Sequence, residues 1–101
     1  MSDFGLRKEV TEQIIAVLSR YPQIERGVIF GSRAKGNYKQ YSDIDLCLFG
    51  EIDVWKAEEV RMDLEELDVI YTFDVLAFET ISNEALREHI ETVGIEIYKV
   101  A

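Results

Sequence analysis

The sequence predicts an α/β domain built on one β-sheet with helices packed against it. Three observations carry that reading. Apolar residues recur at helical spacing in three segments. Short apolar runs stand between and after those segments. The two patterns alternate along the chain, with no internal repeat, low-complexity segment or linker.

The elements follow in order. Leu6, Val10, Ile14, Val17, Leu18 and Tyr21 mark an amphipathic helix from about Leu6 to Arg20, stopped by Pro22. "IERGVIF", Ile24 to Phe30, reads as a buried strand broken by Gly31. Ser32 is placed to cap a short helix through about Gly36. "SDIDLCLFG" is the next strand, closed by Gly50. Asp53 is the N-cap of a second long helix, with Val54, Ala57, Val60, Leu64 and Leu67 as its inner stripe. Tyr71 to Phe78 is a third strand. Ser82 or Asn83 caps a last helix with Leu86, Ile90 and Val93 inward, ended by Gly94. "IEIYKV" is a final short strand or a tail packed on the surface.

Composition sets the bounds. A chain of 101 residues, 48% hydrophobic and 31% charged, can bury one core, so residues 1–101 are expected to form a single domain. No apolar run approaches ~18 residues, which argues against a membrane span. "MSDFGLRKEV" has no apolar signal core, so a cytoplasmic location is expected. The single cysteine, Cys47, excludes an internal disulfide and a cysteine-based zinc site. A net charge of −9 argues against direct nucleic-acid binding, which needs a basic stripe. It suits divalent cations or a basic protein partner; solubility alone is the plainer meaning.

The chemistry concentrates in "FGSRAKGNYKQYSDIDLCLF", Phe30 to Phe49. Alternation puts Asp43 and Asp45 on one side of their strand and Ile44, Leu46 and Leu48 on the other. Carboxylates this close repel unless a cation bridges them or one stays protonated. Mg²⁺ is the natural bridging ion. Asp74, inside the apolar "YTFDVLAF", needs a partner too. If its strand lies beside that of Asp43 and Asp45, three acids converge, as in two-metal phosphoryl sites. Asp74 would then be a general base or a metal ligand. Gly31-Ser32, at a strand-to-helix turn, can receive a phosphate on its backbone N–H groups. Arg33, and less surely Lys35, can neutralise phosphate charge. Each residue also has a structural reading: Ser32 as a helix cap, Asp43 and Asp45 as turn and strand-edge residues, Asp74 as an ion-pair partner. His89, the sole histidine, is assigned no catalytic role, and Cys47 is a small apolar filler.

The pattern resembles the DNA polymerase β-type nucleotidyltransferase superfamily, and within it the minimal nucleotidyltransferase (MNT) proteins. The Gly-Ser, ten residues, Asp-x-Asp spacing falls on Gly31, Ser32, Asp43 and Asp45, and the family's third carboxylate falls on Asp74. The match runs from Val28 to about Phe78; Lys39 departs from it where many relatives carry Arg. The resemblance implies a mixed sheet with the nucleotidyltransferase fold, a nucleoside triphosphate donor (ATP above others), and two Mg²⁺ ions held by Asp43, Asp45 and Asp74. It implies a HEPN-domain helical partner in a toxin–antitoxin pair, with AMP passed to a tyrosine of that partner. No second, acceptor-holding domain is expected from a chain of this length, so the acceptor is expected from another protein. The alternative is a non-catalytic antitoxin or assembly subunit that blocks its partner sterically. A third, weaker reading is a transferase acting on a small molecule such as an antibiotic.

Overall fold

The computed structural model describes residues 5–40 and 42–100. It contains α1 (Lys8–Leu18), β1 (Ile24–Phe30), α2 (Gly31–Lys35), β2 (Ile44–Gly50), α3 (Val54–Glu65), β3 (Phe73–Ala77), a 3-10 turn (Phe78–Thr80), α4 (Glu84–Val93) and β4 (Ile95–Lys99). The final segment is therefore a strand. The sheet order is β3-β2-β1-β4. β1 runs antiparallel to both β2 and β4, and β2 runs parallel to β3, so the sheet is mixed. A parallel neighbour needs a crossover, and α3 provides it between β2 and β3.

Each face of the sheet has its own core. On one face Ile24, Ile29, Ile44, Leu46, Leu48, Phe73, Val75 and Ala77 pack against α1 and α3. On the other, Val28, Phe30 and Cys47 pack against Phe78 and Ile90. The sequence reading placed Ile44, Leu46 and Leu48 in the core, Cys47 in a buried strand, and Asp43 and Asp45 where solvent reaches. The structure adds a second core: α4 and the 3-10 turn cover the Asp45 face at Cys47. Burial pushes the Cys47 thiol up to about 12, only partly offset by Arg26 and Arg87. Native protein is therefore expected not to react with Ellman's reagent at neutral pH, and denatured protein to release one equivalent of thiol; stoichiometric labelling of the native state would contradict the buried placement.

Local chemistry explains the helix ends. Asp53 accepts from Lys56 N–H at 2.8 Å and Asn83 accepts from Leu86 N–H at 3.0 Å, so both are N-caps. Ser32 is not one: α2 begins at Gly31, the capping position is Phe30, and no side chain caps it. Leu6 lies before α1, yet it is buried against the same core as Ile14 and Leu18. The inner stripe of α3 is Ala57, Val60 and Leu64; Val54, at its first residue, faces outward. Gly94 ends α4 with φ −60°, not through a left-handed turn. A side chain there would stand 2.3 Å from the Ile90 carbonyl oxygen and 2.4 Å from Val28, so close approach selects glycine.

Candidate active site

The register of the sheet decides what the acids can do. In the parallel β2–β3 pair, Ile44 is opposite Phe73 and Asp45 is opposite Asp74. Neighbouring strands lie about 4.8 Å apart, and paired residues face the same way. Asp45 and Asp74 therefore stand side by side on the face that holds Cys47. Asp43 is one residue ahead of β2. Its Oδ1 accepts from the Thr72 hydroxyl at 2.5 Å, and the Ile44 N–H donates to the Thr72 carbonyl. Asp45 is paired with Asp74, and Asp43, at the strand edge, is close enough for its charge to act on Asp45.

The cluster is under electrostatic strain. Burial first, then the charges of Asp74 and Asp43, push the Asp45 carboxyl above its ordinary value; His89 and Arg33 pull it back in part. The ion pairs among the described residues lie elsewhere, between Arg26 and Glu96 and along α1 and α3. Asp74 is exposed and Asp45 half-buried, so the carboxylates sit at the water-facing end of the second core.

Gly31 closes the site from the side. Its φ is +72°, and a Cβ would stand 2.2 Å from Asp45 Oδ2. Only glycine lets the backbone turn there and lie flat against the carboxylate. Ser32 is half-buried in the first turn of α2.

Arg33 lies elsewhere than expected. It is 0% exposed. Its Nε and Nη2 donate to the Ser42 carbonyl at 3.2 and 2.9 Å, and Nη2 also reaches the Gln40 carbonyl at 3.3 Å. The guanidinium lies over the Tyr38 and Tyr71 rings, 5.1 and 4.8 Å from their centroids. So Arg33 is spent on the loop that delivers Asp43, not presented to a phosphate. Lys35 and Lys39 are exposed.

Among the described residues, no group of three His, Cys, Asp or Glu side chains stands ready to hold a metal ion. The donor set nevertheless fits Mg²⁺ in kind: hard oxygen ligands whose mutual repulsion a cation relieves. Two surface grooves are lined by residues other than the three acids. One is lined by Glu25, Arg26, Phe49 and Asp53 at the far end of β1 and β2, the other by Val10, Gln13, Tyr38 and Tyr71.

Comparison with known proteins decides the family. The family model described as Polymerase beta, Nucleotidyltransferase matches residues 12–100. The chain belongs to this nucleotidyltransferase family. It is 37% identical over 70 residues to "Probable protein adenylyltransferase MntA" of Haemophilus influenzae, covering 67% of this chain and 60% of the relative. A Methanocaldococcus jannaschii protein that also carries the adenylyltransferase name is 38% identical over 47 residues, 46% of this chain and 47% of that protein. The nucleotidyltransferase thus spans about half to three-fifths of the length of these curated relatives. Its fold is similar to a toxin–antitoxin structure with AMP-PNP, with a TM-score of 0.74, 22% identity, and 89% of this chain matched to 73% of that one. It is also similar to a chain of the structure described as a tri-AMPylated Shewanella oneidensis HEPN toxin in complex with MNT antitoxin, with a TM-score of 0.71, 19% identity, and coverage of 94% and 74%. At those identities the likeness establishes the fold.

Sequence reasoning about this nucleotidyltransferase missed four residues at the site. Thr72, Tyr38 and Tyr71 leave no one-dimensional signal, because their partners are distant in the chain. His89 did leave one. It stands at i+3 from Leu86 and at i−4 from Val93, within the inward stripe of α4. In the structure His89 Nε2 accepts the Gly31 N–H at 3.1 Å.

Proposed function

We propose that this nucleotidyltransferase transfers AMP from ATP to a protein hydroxyl, a tyrosine of a HEPN-domain partner, and that it serves as the antitoxin of that pair. The observation that carries the reading is the in-register pairing of Asp45 with Asp74, with Asp43 beside them, at a glycine turn. The adenylyltransferase names of the relatives and the AMPylated HEPN toxin in a neighbouring structure support the same direction.

The residues divide the work as follows. At the Gly31–Ser32 turn the Ser32 hydroxyl is offered to the triphosphate, while the Gly31 N–H is already taken by His89. Asp43, Asp45 and Asp74 would hold two Mg²⁺ ions, which would supply positive charge to offset that of the phosphate oxygens and the leaving pyrophosphate. Arg33 holds the Gln40 and Ser42 carbonyls and so positions Asp43. Asp74, the exposed acid of the pair, faces the approaching acceptor and takes its hydroxyl proton. The acceptor oxygen then forms a bond to the α-phosphorus, the bond from that phosphorus to the β-phosphate oxygen breaks, and pyrophosphate leaves in line. Asp74 is exposed, so an acceptor hydroxyl carried on a protein can reach it.

Intact-mass analysis of the co-expressed partner, with ATP and Mg²⁺, tests this. The expected result is a gain of one or more AMP units on the partner, mapped to tyrosine. An unmodified partner, under conditions where ATP demonstrably binds, contradicts it.

One observation favours the second reading, a subunit that acts by binding alone. Trp55 is 80% exposed and Met62 57%, on the α3 face opposite Val60 and Leu64. Exposed large apolar side chains of this kind mark contact surfaces. Tyr98 does not join them, since it packs against the first core. If Asp43→Ala with Asp45→Ala leaves the partner neutralised, binding suffices.

A further inference from the structure

His89 is the one histidine of the chain, half-buried at the middle of α4. Its ring meets Phe30 edge-on, with centroids 6.2 Å apart and planes at 79°. Its Nε2 takes the Gly31 N–H at 3.1 Å, 58 residues away in sequence. The peptide it grips is the one whose Cα carbon walls Asp45, where not even a Cβ fits beside Oδ2. Asp45 is pressed by the charges of Asp74 and Asp43, so its carboxylate has reason to swing aside if that wall gives way.

We propose that His89 is a positioning residue: its hydrogen bond locks the Gly31 peptide against Asp45 and so holds that carboxylate aimed at the cation. This rests on reading the three acids as a metal site. The bond ties α4 to the β1–α2 turn across the second core, so the packing of Ile90 beneath the sheet and the aim of Asp45 are set together. A histidine buried only for packing would affect melting alone. A histidine that merely occupied an amide needed by phosphate would weaken nucleotide binding, and its removal would strengthen it. The positioning role differs from both in sign or in observable.

The test uses Mn²⁺ as the probe, titrated into the nucleotide-free full chain and followed by electron paramagnetic resonance, with ATP affinity and melting recorded alongside. His89→Ala is expected to weaken Mn²⁺ binding about tenfold, the usual size of losing a group that orients a metal ligand. His89→Gln, whose side-chain oxygen can take the same N–H, is expected to restore binding to within about threefold on that scale. Wild-type Mn²⁺ affinity in a folded His89→Ala, or a Gln variant no better than Ala, overturns the proposal. Tighter ATP binding by His89→Ala also overturns it. Asp45→Asn is the control: if wild type binds Mn²⁺ and Asp45→Asn binds it equally, the metal-site reading falls and this inference with it. Loss in Asp45→Asn without loss in His89→Ala rejects the inference alone.

Discussion

Asp45→Asn is expected to abolish AMP transfer and at the same time to raise the melting temperature. The two effects have one cause. In the folded chain burial and the charges of Asp74 and Asp43 hold the Asp45 carboxyl above its ordinary value of 3.8. A folded-state pKa above the unfolded one means that the protonated form favours the fold. That contribution is fully present below the ordinary carboxylate value and is lost as pH rises through the raised folded value. At neutral pH the ionised side chain therefore works against folding, and the isosteric amide removes the charge. The gain expected is about 1 kcal/mol, as for other relieved charge clusters, or roughly 4–8 °C in a domain of this size. It shrinks as pH falls through the raised folded value, where the wild-type carboxyl itself becomes protonated. The loss of activity is expected to exceed about a hundredfold, since a metal ligand contributes several kcal/mol at the transition state. Scanning calorimetry across pH, with the transfer assay in parallel, checks both. An Asp45→Asn protein that melts below wild type at neutral pH would mean that the carboxylate is stabilising, and the strained-cluster account would fail.

Arg33→Ala is expected to give the largest loss of stability of any single change near the site. The side chain is fully buried, satisfies the Ser42 and Gln40 carbonyls and fills the space between Tyr38 and Tyr71. Truncation leaves a cavity and unpaired carbonyl oxygens, together worth about 3 kcal/mol. That corresponds to a drop of more than about 10 °C. Arg33→Lys is expected to fall between, because a single ammonium cannot reproduce the planar fork on two carbonyls. Both variants should also weaken Mg²⁺ binding, since Ser42 immediately precedes Asp43. Urea unfolding measures the first effect and metal titration the second. If Arg33→Ala unfolds with wild type and only its ATP affinity falls, the guanidinium faces the phosphates, as the sequence alone suggested.

The difference between Arg33 and Asp45 shows what a sequence can carry. The two-residue period of a strand placed Asp43 and Asp45 on the face opposite Ile44 and Leu46, and the structure agrees. The meeting with Asp74 needed β3 to pair with β2 in one particular register, which periodicity does not encode; the family resemblance supplied it. The Arg33 side chain is long enough to point out to a ligand or back under a loop. Only the positions of Tyr38, Tyr71 and the Ser42 carbonyl decide between these, and they are tertiary facts. Ser32 failed as a cap for a local reason: α2 already begins at Gly31, which moves the capping position back to Phe30. The burial of Cys47 was legible, but what covers it was not, because α4 was legible as amphipathic while the sheet face it would choose was not. The same holds for His89, which sat on a recognisable stripe whose destination was unknown.

The central claim is that Asp43, Asp45 and Asp74, with the Gly31–Ser32 turn, form a joint cation and triphosphate site. Isothermal titration calorimetry of ATP into the protein, in Mg²⁺ and again in chelator, tests it most directly. Saturable binding that requires Mg²⁺, and that disappears in Asp43→Ala with Asp45→Ala while the variant stays folded, is the predicted result. ATP binding of equal strength with and without the metal, or retained in full by that variant, would contradict it.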